Sequence, residues 1–528
     1  MTREQRQVVV AASLGTIFEW YDFFLYGSLV AFLSTMFFPP QNETAALLSA
    51  LATFGAGFAV RPLGALVFGR IGDRIGRKHT FLITIIVMGL STALIGLLPT
   101  YESIGWWAPV LLVFLRLAQG LALGGEYGGA AIYVAEHAPT EKRGYHTSYI
   151  NATASLGFLM SIAVVVTCRL AMGQETFSEW GWRVPFLLSV LLLVISVYVR
   201  LQLRESPVFA ELRSSGQVAR APIRESFASR GNRRLMLIAI AGFAGTTVVW
   251  YTALFYTFVF LQATLGIELL TAAVIVGVAV LIGVPLHIVA GAASDRVGRR
   301  KVMLTGMLLG ALVLIPAFQQ LIAIGNPALA QARDTVPVSV QAVPYRLFSD
   351  DEASVAAKRI RDALTARGVS YRSEPARSDG RLAVRIGETE IVDPMSEELD
   401  ARLTAAGFPT KSSLPVIRSI GDIDASHLGL MALIVVMIAF SAMMYGPAAA
   451  FFVELFPTRI RYTSLSVPYH ITSGWLGGFM PLSAAAIVLY TGNVLAGLWY
   501  PIVIALAGFA ISFVFMPETR GRDLRAID

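Results

Sequence analysis

Charge is scarce in this chain. Of 528 residues only 15% are Asp, Glu, Lys or Arg, against 55% hydrophobic, and the mean hydropathy is +0.64. Soluble domains carry about 25% charged residues, so the composition points to an integral membrane protein and away from a large soluble core. Cysteine is nearly absent. The single Cys168 rules out a disulfide framework and any paired-cysteine metal or redox site, and reads as a small buried apolar side chain. No Gly-x-x-x-x-Gly-Lys-Ser/Thr loop occurs, so direct ATP drive is unsupported. No nucleophile–base set and no metal-ligand cluster stands out, so neither an enzyme nor a bound cofactor or metal is expected. The net charge of +7 reads as a topology signal with attraction to anionic lipid, not as a nucleic-acid footprint.

What is present is repetition. The pattern Gly69-x-x-x-Asp73-Arg74-x-Gly76-Arg77-Lys78 recurs as Gly291-x-x-x-Asp295-Arg296-x-Gly298-Arg299-Arg300, with the two aspartates 222 residues apart. Each copy is a block of charge between long apolar stretches, which lipid cannot solvate, so each is expected to be a tight loop at a membrane surface. A duplicated loop implies a duplicated membrane unit. About twenty apolar residues span a bilayer. Twelve candidate spans follow: roughly 9–37, 45–71, 79–98, 107–137, 146–172, 184–202, 235–262, 270–293, 301–324, 427–450, 464–490 and 493–516. An all-α membrane protein of two six-helix bundles is predicted, with residues 1–202 as the first bundle and 235–329 with 426–528 as the second. Residues 203–234 form a basic linker. Lys and Arg crowd the even-numbered loops, which places both termini and both twin loops on the cytoplasmic side. Arg3 and Arg6 precede an apolar run that holds Glu19 and Asp22 and lacks a small-residue cleavage site, so a retained first helix is expected.

Residues 330–425 break the pattern, with 13 Lys/Arg and 15 Asp/Glu. They read as a small soluble α/β insertion on the periplasmic or extracellular side. Strands are expected from Val338 and at Leu382, Val384 and Ile386. Helices are expected over Asp350–Arg367, capped by Ser349 or Asp350 and ended at Gly368, and over Ser396–Ala406. A structural or assembly cap and a substrate-capturing or partner-binding module are both compatible with it.

The twelve spans, the six-plus-six repeat and the twin loop resemble the major facilitator superfamily. Within it, Gly15-Thr-Ile-Phe-Glu19-Trp20-Tyr21-Asp22-Phe23, Arg61-Pro62-Leu63-Gly64, Arg116-Leu-Ala-Gln119-Gly120 with Gly124-Gly125-Glu126, and Glu454-Leu-Phe-Pro-Thr-Arg459-Ile-Arg461 are similar to the metabolite:proton symporter family. That family includes porters for dicarboxylates, keto acids, citrate, shikimate and proline or betaine. The resemblance covers nearly the whole chain outside 330–425. It implies that the twin loops belong to a charge latch holding the outward-facing state. Its expected members are Gly69, Asp73, Arg74, Gly76, Arg77, Glu136, Arg143, Asp295, Arg296, Arg299, Glu454, Arg459 and Arg461.

Physics assigns the remaining candidates. A charge in hydrocarbon costs at least ~2.5–3.5 kcal/mol and is a functional hypothesis by default. Glu19 and Asp22 lie three residues apart on one helix face, where repulsion and burial disfavour ionising both, and are the expected proton-coupling pair. Arg116 offers a planar fork suited to a carboxylate; its counter-charge is either a substrate anion or one of Glu19, Asp22 and Glu126. Gln119, Glu126, Tyr127, Tyr251, Tyr256 and Tyr445 complete the expected substrate site, with Gly446-Pro447 as a helix break near the midplane. Gly120, Gly124 and Gly128 read as a packing ridge. Arg61 is either a carboxylate partner or an interfacial side chain, and His470 either titrates or packs.

The sequence therefore predicts proton-coupled symport of a small organic acid, a di- or tricarboxylate or keto acid, by alternating access in an inner membrane. The expected partners are that substrate, protons and the bilayer, with the proton gradient as energy source. A zwitterion such as proline or betaine is the alternative substrate. A non-transporting sensor or assembly protein using the insertion is the alternative class.

Overall fold

The computed structural model describes residues 3–39, 43–201, 207–216, 218–343, 351–379 and 381–524. Among the described residues, eleven helices are long and apolar enough to cross a membrane. The expected third span is the helix Arg77–Leu97, whose apolar stretch Leu82–Leu97 is shorter than the rest. In chain order the helices used below are α1 (Arg3–Ser28), α2 (Glu43–Ala59), α3 (Arg61–Arg74), α4 (Arg77–Leu97), α5 (Trp107–His137), α6 (Arg143–Met172), α7 (Arg183–Leu201), α8 (Arg230–Tyr251), α9 (Leu269–Val297) and α10 (Arg299–Gly325). Two helices of the insertion follow, α11 (Glu352–Ala366) and α12 (Ser396–Ala405). The last four are α13 (Ala425–Leu455), α14 (Arg461–His470), α15 (Met480–Thr491) and α16 (Trp499–Phe515).

Several spans read as continuous are broken. The first is interrupted at Leu29, and the second at Val60, just before Pro62. Residues Thr252–Tyr256 and Ile471–Gly477 are wide-turn stretches that follow α8 and α14. Such breaks free backbone groups that lipid cannot satisfy, so they belong in protein-lined interior, and each of these stretches is largely buried. The linker also ends earlier than expected. Ser229 caps α8 by accepting a hydrogen bond from the Asn232 N–H, so this helix begins at Arg230 and not near 235. Residues 202–206 lie outside the described set.

The glycine ridge on α5 does pack. A Cβ on Gly120 would stand 1.7 Å from the Gly57 carbonyl oxygen, and one on Gly124 would stand 2.3 Å from that of Arg61. The backbones of α5, α2 and α3 thus touch directly, as small residues permit in a bundle that lacks a hydrophobic drive between helices. The two halves meet where α6 packs on α9 and α13, and where α14 packs on α3.

The insertion is a four-stranded sheet with two helices. Its strands are β1 (Val338–Gln341), β2 (Arg372–Glu374), β3 (Ala383–Ile386) and β4 (Thr389–Val392), in the order β2-β1-β3-β4. β1 pairs parallel with β2 across α11, and antiparallel with β3 in the register Val340↔Val384. Val340 and Val384 are buried with Ile360, Leu364, Leu399 and Leu403 of the two helices. The cap of α11 is Asp351, whose carboxylate accepts from the Ser354 N–H at 2.8 Å. The expected caps Ser349 and Asp350 lie outside the described residues. β2 and β4 escaped the sequence reading, since three or four residues of mixed polarity carry no clear alternation.

The insertion docks on the second half. The Tyr371 N–H donates to the Gly492 carbonyl at 2.8 Å and its hydroxyl to the Leu489 carbonyl at 3.1 Å, while the Ile417 N–H donates to Thr271 Oγ1 at 3.0 Å. Thr271 opens α9 and Asp295 closes it. The insertion and the second twin loop therefore stand at opposite ends of one 29-residue helix, about 40 Å apart at 1.5 Å per residue.

Replacing Gly120 by Ala is expected to force α5 from α2 and destabilise the bundle by about 1–3 kcal/mol, the usual cost of overpacking. A thermal unfolding scan of the purified protein in detergent checks this. An unchanged midpoint would show that the contact yields freely.

Candidate functional site

Two constellations of buried charge emerge. The first lies at the end of the bundle that carries the twin loops. Both Oδ atoms of Asp73, on α3, accept hydrogen bonds from the opening turn of α14: the Tyr462 N–H at 3.2 Å, the Thr463 N–H at 3.0 Å and the Thr463 hydroxyl at 2.7 Å. Asp295, on α9, does the same for α6, accepting from the N–H groups of Gly144 at 2.9 Å and Tyr145 at 2.8 Å. Each twin aspartate thus caps a helix of the other half, where orphan N–H groups and the helix dipole both favour a carboxylate. Gly69 faces Thr463 across this contact. Gly76 turns the chain at φ 122, a conformation L side chains resist.

Ion pairs reinforce the capping. Arg143 reaches Glu454 at 2.8 Å and Arg461 reaches Glu136 at 3.1 Å, both across the halves. Three expectations are corrected. Arg299 pairs within its own half, with Asp295 at 2.6 Å and Glu454 at 3.2 Å. Arg459, expected in the latch, pairs instead with Glu225 of the linker at 2.7 Å. Arg74 and Arg296 are exposed and form no ion pair among the described residues. Exposed guanidinium groups keep their hydration and gain little from pairing. The Arg77 side chain lies outside the described set.

The second constellation is central. Arg200 of α7 binds two carboxylates at once: Glu19 at 2.8 Å, and both oxygens of Glu126, one of them at 3.1 Å. Thr84 adds a hydroxyl to Glu126 at 3.2 Å. Asp22 accepts from the Ser189 hydroxyl, and among the described residues no cation lies within ion-pair distance of it. Glu19, Asp22, Glu126 and Arg200 are all buried. The α1 face foreseen as a carboxylate pair is therefore divided. Glu19 shares Arg200 with Glu126, and Asp22 turns to α7.

Arg116 takes none of these carboxylates. Its Nη1 donates to Gln119 Oε1 at 2.7 Å and to the Phe23 carbonyl at 3.3 Å, while Nε and Nη2 find no acceptor. Phe23, Tyr26 and Phe54 wrap it at 4.3, 4.6 and 5.4 Å from ring centroids. Gln119 is held in turn by its bond to Thr92 at 2.6 Å. Arg61 is fully buried, which removes the interfacial reading. None of its three guanidinium nitrogens has an acceptor, and Trp20 and Phe58 lie 5.5 and 5.1 Å from its Cζ.

The expected aromatic residues divide. Tyr251 is buried with an unpartnered hydroxyl. Tyr127 stacks on Tyr469 at 3.6 Å, its hydroxyl donating to Asn151 Oδ1 at 2.7 Å, and the Asn151 amide donates to the Tyr445 carbonyl at 2.5 Å. This chain joins α5 and α6 to α13 and α14 beside Gly446-Pro447, where the expected helix break is absent: α13 runs unbroken from Ala425 to Leu455 with Pro447 inside it. Tyr256 packs on Phe260 and Phe318 in the second half, so it serves packing and not the arginine cluster. Arg200 and Asn151 escaped the sequence reading. Arg200 carried a usable signal, an arginine inside the sixth span, but it lies near the span's end, where a basic residue also reads as a topology signal.

With this geometry in hand, the relationships are clear. The family model described as sugar (and other) transporter matches residues 8–221 and 410–528, more than half of the chain, and the protein belongs to that family. A proline/betaine transporter of Salmonella typhimurium is 38% identical over 321 residues, 59% of this chain and 64% of that one. The shikimate transporter of Escherichia coli is 38% identical over 320 residues, 60% and 72% of the two chains, and its alpha-ketoglutarate permease 36% over 332, 62% and 75%. The chain thus spans under two thirds of the proline/betaine transporter it matches. The major facilitator fold is shown by the proton:xylose symporter XylE with bound 6-bromo-6-deoxy-D-glucose, at a TM-score of 0.66 and 16% identity over 99% of this chain and 98% of that one. These relatives are transporters and not enzymes.

Asp295→Ala removes two charged hydrogen bonds from the cap of α6, each worth about 1.5–3 kcal/mol. Opening at this end is expected to become at least about tenfold more frequent. The check is the maleimide labelling rate of Ser148→Cys, buried beneath the contact, in a Cys168→Ser background. An unchanged rate would mean the cap does not hold the ends closed.

Proposed function

We propose that this protein is a proton-coupled secondary transporter that takes up a small organic acid by alternating access, in the inner membrane of a bacterial cell. Both termini and the twin loops lie on the cytoplasmic side in this reading, and the insertion lies on the opposite one. The observation that carries it is the pair Arg61 and Arg116: two buried guanidinium groups with unsatisfied donors and no carboxylate. A buried cation without a partner is costly, and an anionic substrate would supply what is missing. Arg116, oriented by Gln119, faces the substrate carboxylate.

The proton has its own place. Glu19 and Glu126 share one guanidinium, so the trio carries an excess negative charge that a proton on either carboxyl cancels. Glu126 is thus a coupling group in this reading, together with Glu19, and Asp22 is a second acceptor. Loading both substrate and proton neutralises the core and lets the two halves rock. Closure at the twin-loop end, with its reciprocal caps, corresponds to the outward-facing side of the cycle. No bound cofactor is required; the proton gradient supplies direction.

A zwitterion is the second reading. It is favoured by the relatives that are named proline/betaine transporters, and by the aromatic cluster of Phe24, Trp250 and Tyr251, which suits a quaternary ammonium. Vesicles reconstituted with the protein and given an inward acidic gradient decide between them. Accumulation of an organic acid that collapses with a protonophore is expected. Glu126→Gln and Glu19→Gln should keep substrate exchange but lose gradient-driven accumulation down to the equilibrium level. Accumulation of betaine or proline and of no acid would overturn the organic-acid reading.

A further inference from the structure

Arg61 is not needed to hold a single carboxylate that Arg116 already faces, and it is not idle packing. Its guanidinium is fully buried, none of its nitrogens makes a well-formed hydrogen bond, and the weakly placed hydroxyls of Tyr251 and Tyr469 lie beside it in place of a carboxylate. Around it the second half presents further unmet polar atoms. The Tyr251 hydroxyl approaches Arg61 without a well-formed hydrogen bond, and neither ring nitrogen of the buried His470 has a partner. Tyr251 lies within electrostatic reach of both Arg61 and Arg116, and His470 within reach of Arg61. Buried polar groups are normally satisfied; a cluster of unsatisfied donors around two cations is what a site awaiting a polar ligand looks like.

The two guanidinium groups are also close together. Their Cζ atoms stand 6.0 Å and 4.3 Å from the same Phe23 centroid, so at most about 10.3 Å separates them. Each can take a carboxylate through a two-pronged contact. A ligand that satisfies both must carry two acidic groups on a short spacer. A long diacid could not seat both ends, and a monoacid or zwitterion engages fewer of the unmet donors than a short diacid does.

We propose that Arg61, with Tyr251 and His470 of the second half, forms a second anion subsite, and that it selects short-chain dicarboxylates over monocarboxylates and zwitterions. The inference rests on the organic-acid reading above. Arg61 and Arg116 come from the first half, Tyr251 and His470 from the second. A dianion held by all four therefore bridges the two bundles, and its binding is tied to their approach.

Equilibrium binding to the full-length protein in detergent tests this. The probes are a length series of linear dicarboxylates, the matching monocarboxylates, and betaine. Wild type should bind the shorter diacids at least about thirtyfold more tightly than the matched monoacids, the ratio expected when one partner of a buried charge pair is lost. Arg61→Gln should collapse that ratio by weakening diacids far more than monoacids, and Arg61→Lys should restore part of it. Arg116→Gln should weaken diacids and monoacids alike. Equal affinity of wild type for monoacids and diacids, or a preference for long diacids, overturns the second subsite while leaving the organic-acid reading intact. Binding of betaine with no binding of any acid overturns both. An equal loss of monoacid and diacid binding in Arg61→Gln also overturns it, because Arg61 would then act on the site as a whole. The wild-type series needs no variant, so a misfolded substitution does not leave the question open.

Discussion

The structure turns on the balance of charge inside a medium that cannot solvate it. Away from the twin-loop end, the membrane-spanning core buries three carboxylates, Glu19, Asp22 and Glu126, and three arginines, Arg61, Arg116 and Arg200. They balance in number but not in space. Arg200 is bound twice, Asp22 accepts from the Ser189 hydroxyl with no cation beside it among the described residues, and Arg61 and Arg116 meet aromatic faces. Burying an ion is repaid only by a close partner, so this arrangement is held under electrostatic tension. An anion entering beside the two arginines adds negative charge to a core already balanced in number, and protons on the carboxylates restore it. In the proposed cycle, coupling of substrate to proton is this neutrality requirement and needs no mechanical link between the sites.

The second organising feature is reciprocity. Asp73 caps α14 and Asp295 caps α6, so each half closes a helix end of the other. Capping uses backbone N–H groups that a helix start leaves unsatisfied anyway, which allows the contact to break without stranding a side chain. The charged pairs Arg143–Glu454 and Arg461–Glu136 sit beside it. The insertion contributes nothing to this closure. It docks on the far ends of α9, α10 and α15 in the second half.

Much of this was legible in the residues. Twin loops at equal places in two halves foretold the duplicated bundle. The apolar runs located the spans, and scarcity of intramembrane charge made Glu19, Asp22, Arg116 and Glu126 stand out. Partnership was not legible. Nothing in the spacing of Glu19, Glu126 and Arg200 announces that three different helices bring them together, and Arg116 and the carboxylates were equally plausible as mates. Arg61 lay before a proline inside the second span, where a carboxylate partner and an interfacial place were equally open, and it proves fully buried. Asn151 was silent because a lone amide in an apolar run has no pattern to match.

The central claim is that bound anion and bound proton are linked through one buried charge balance. Its most direct test is proton uptake on ligand binding in a weakly buffered detergent solution, with a fully ionised organic acid adjusted to the protein's own pH. The account predicts that the protein takes up protons in proportion to the ligand bound, and that Glu19→Gln with Glu126→Gln reduces the uptake. Full binding with no change in proton occupancy would contradict it.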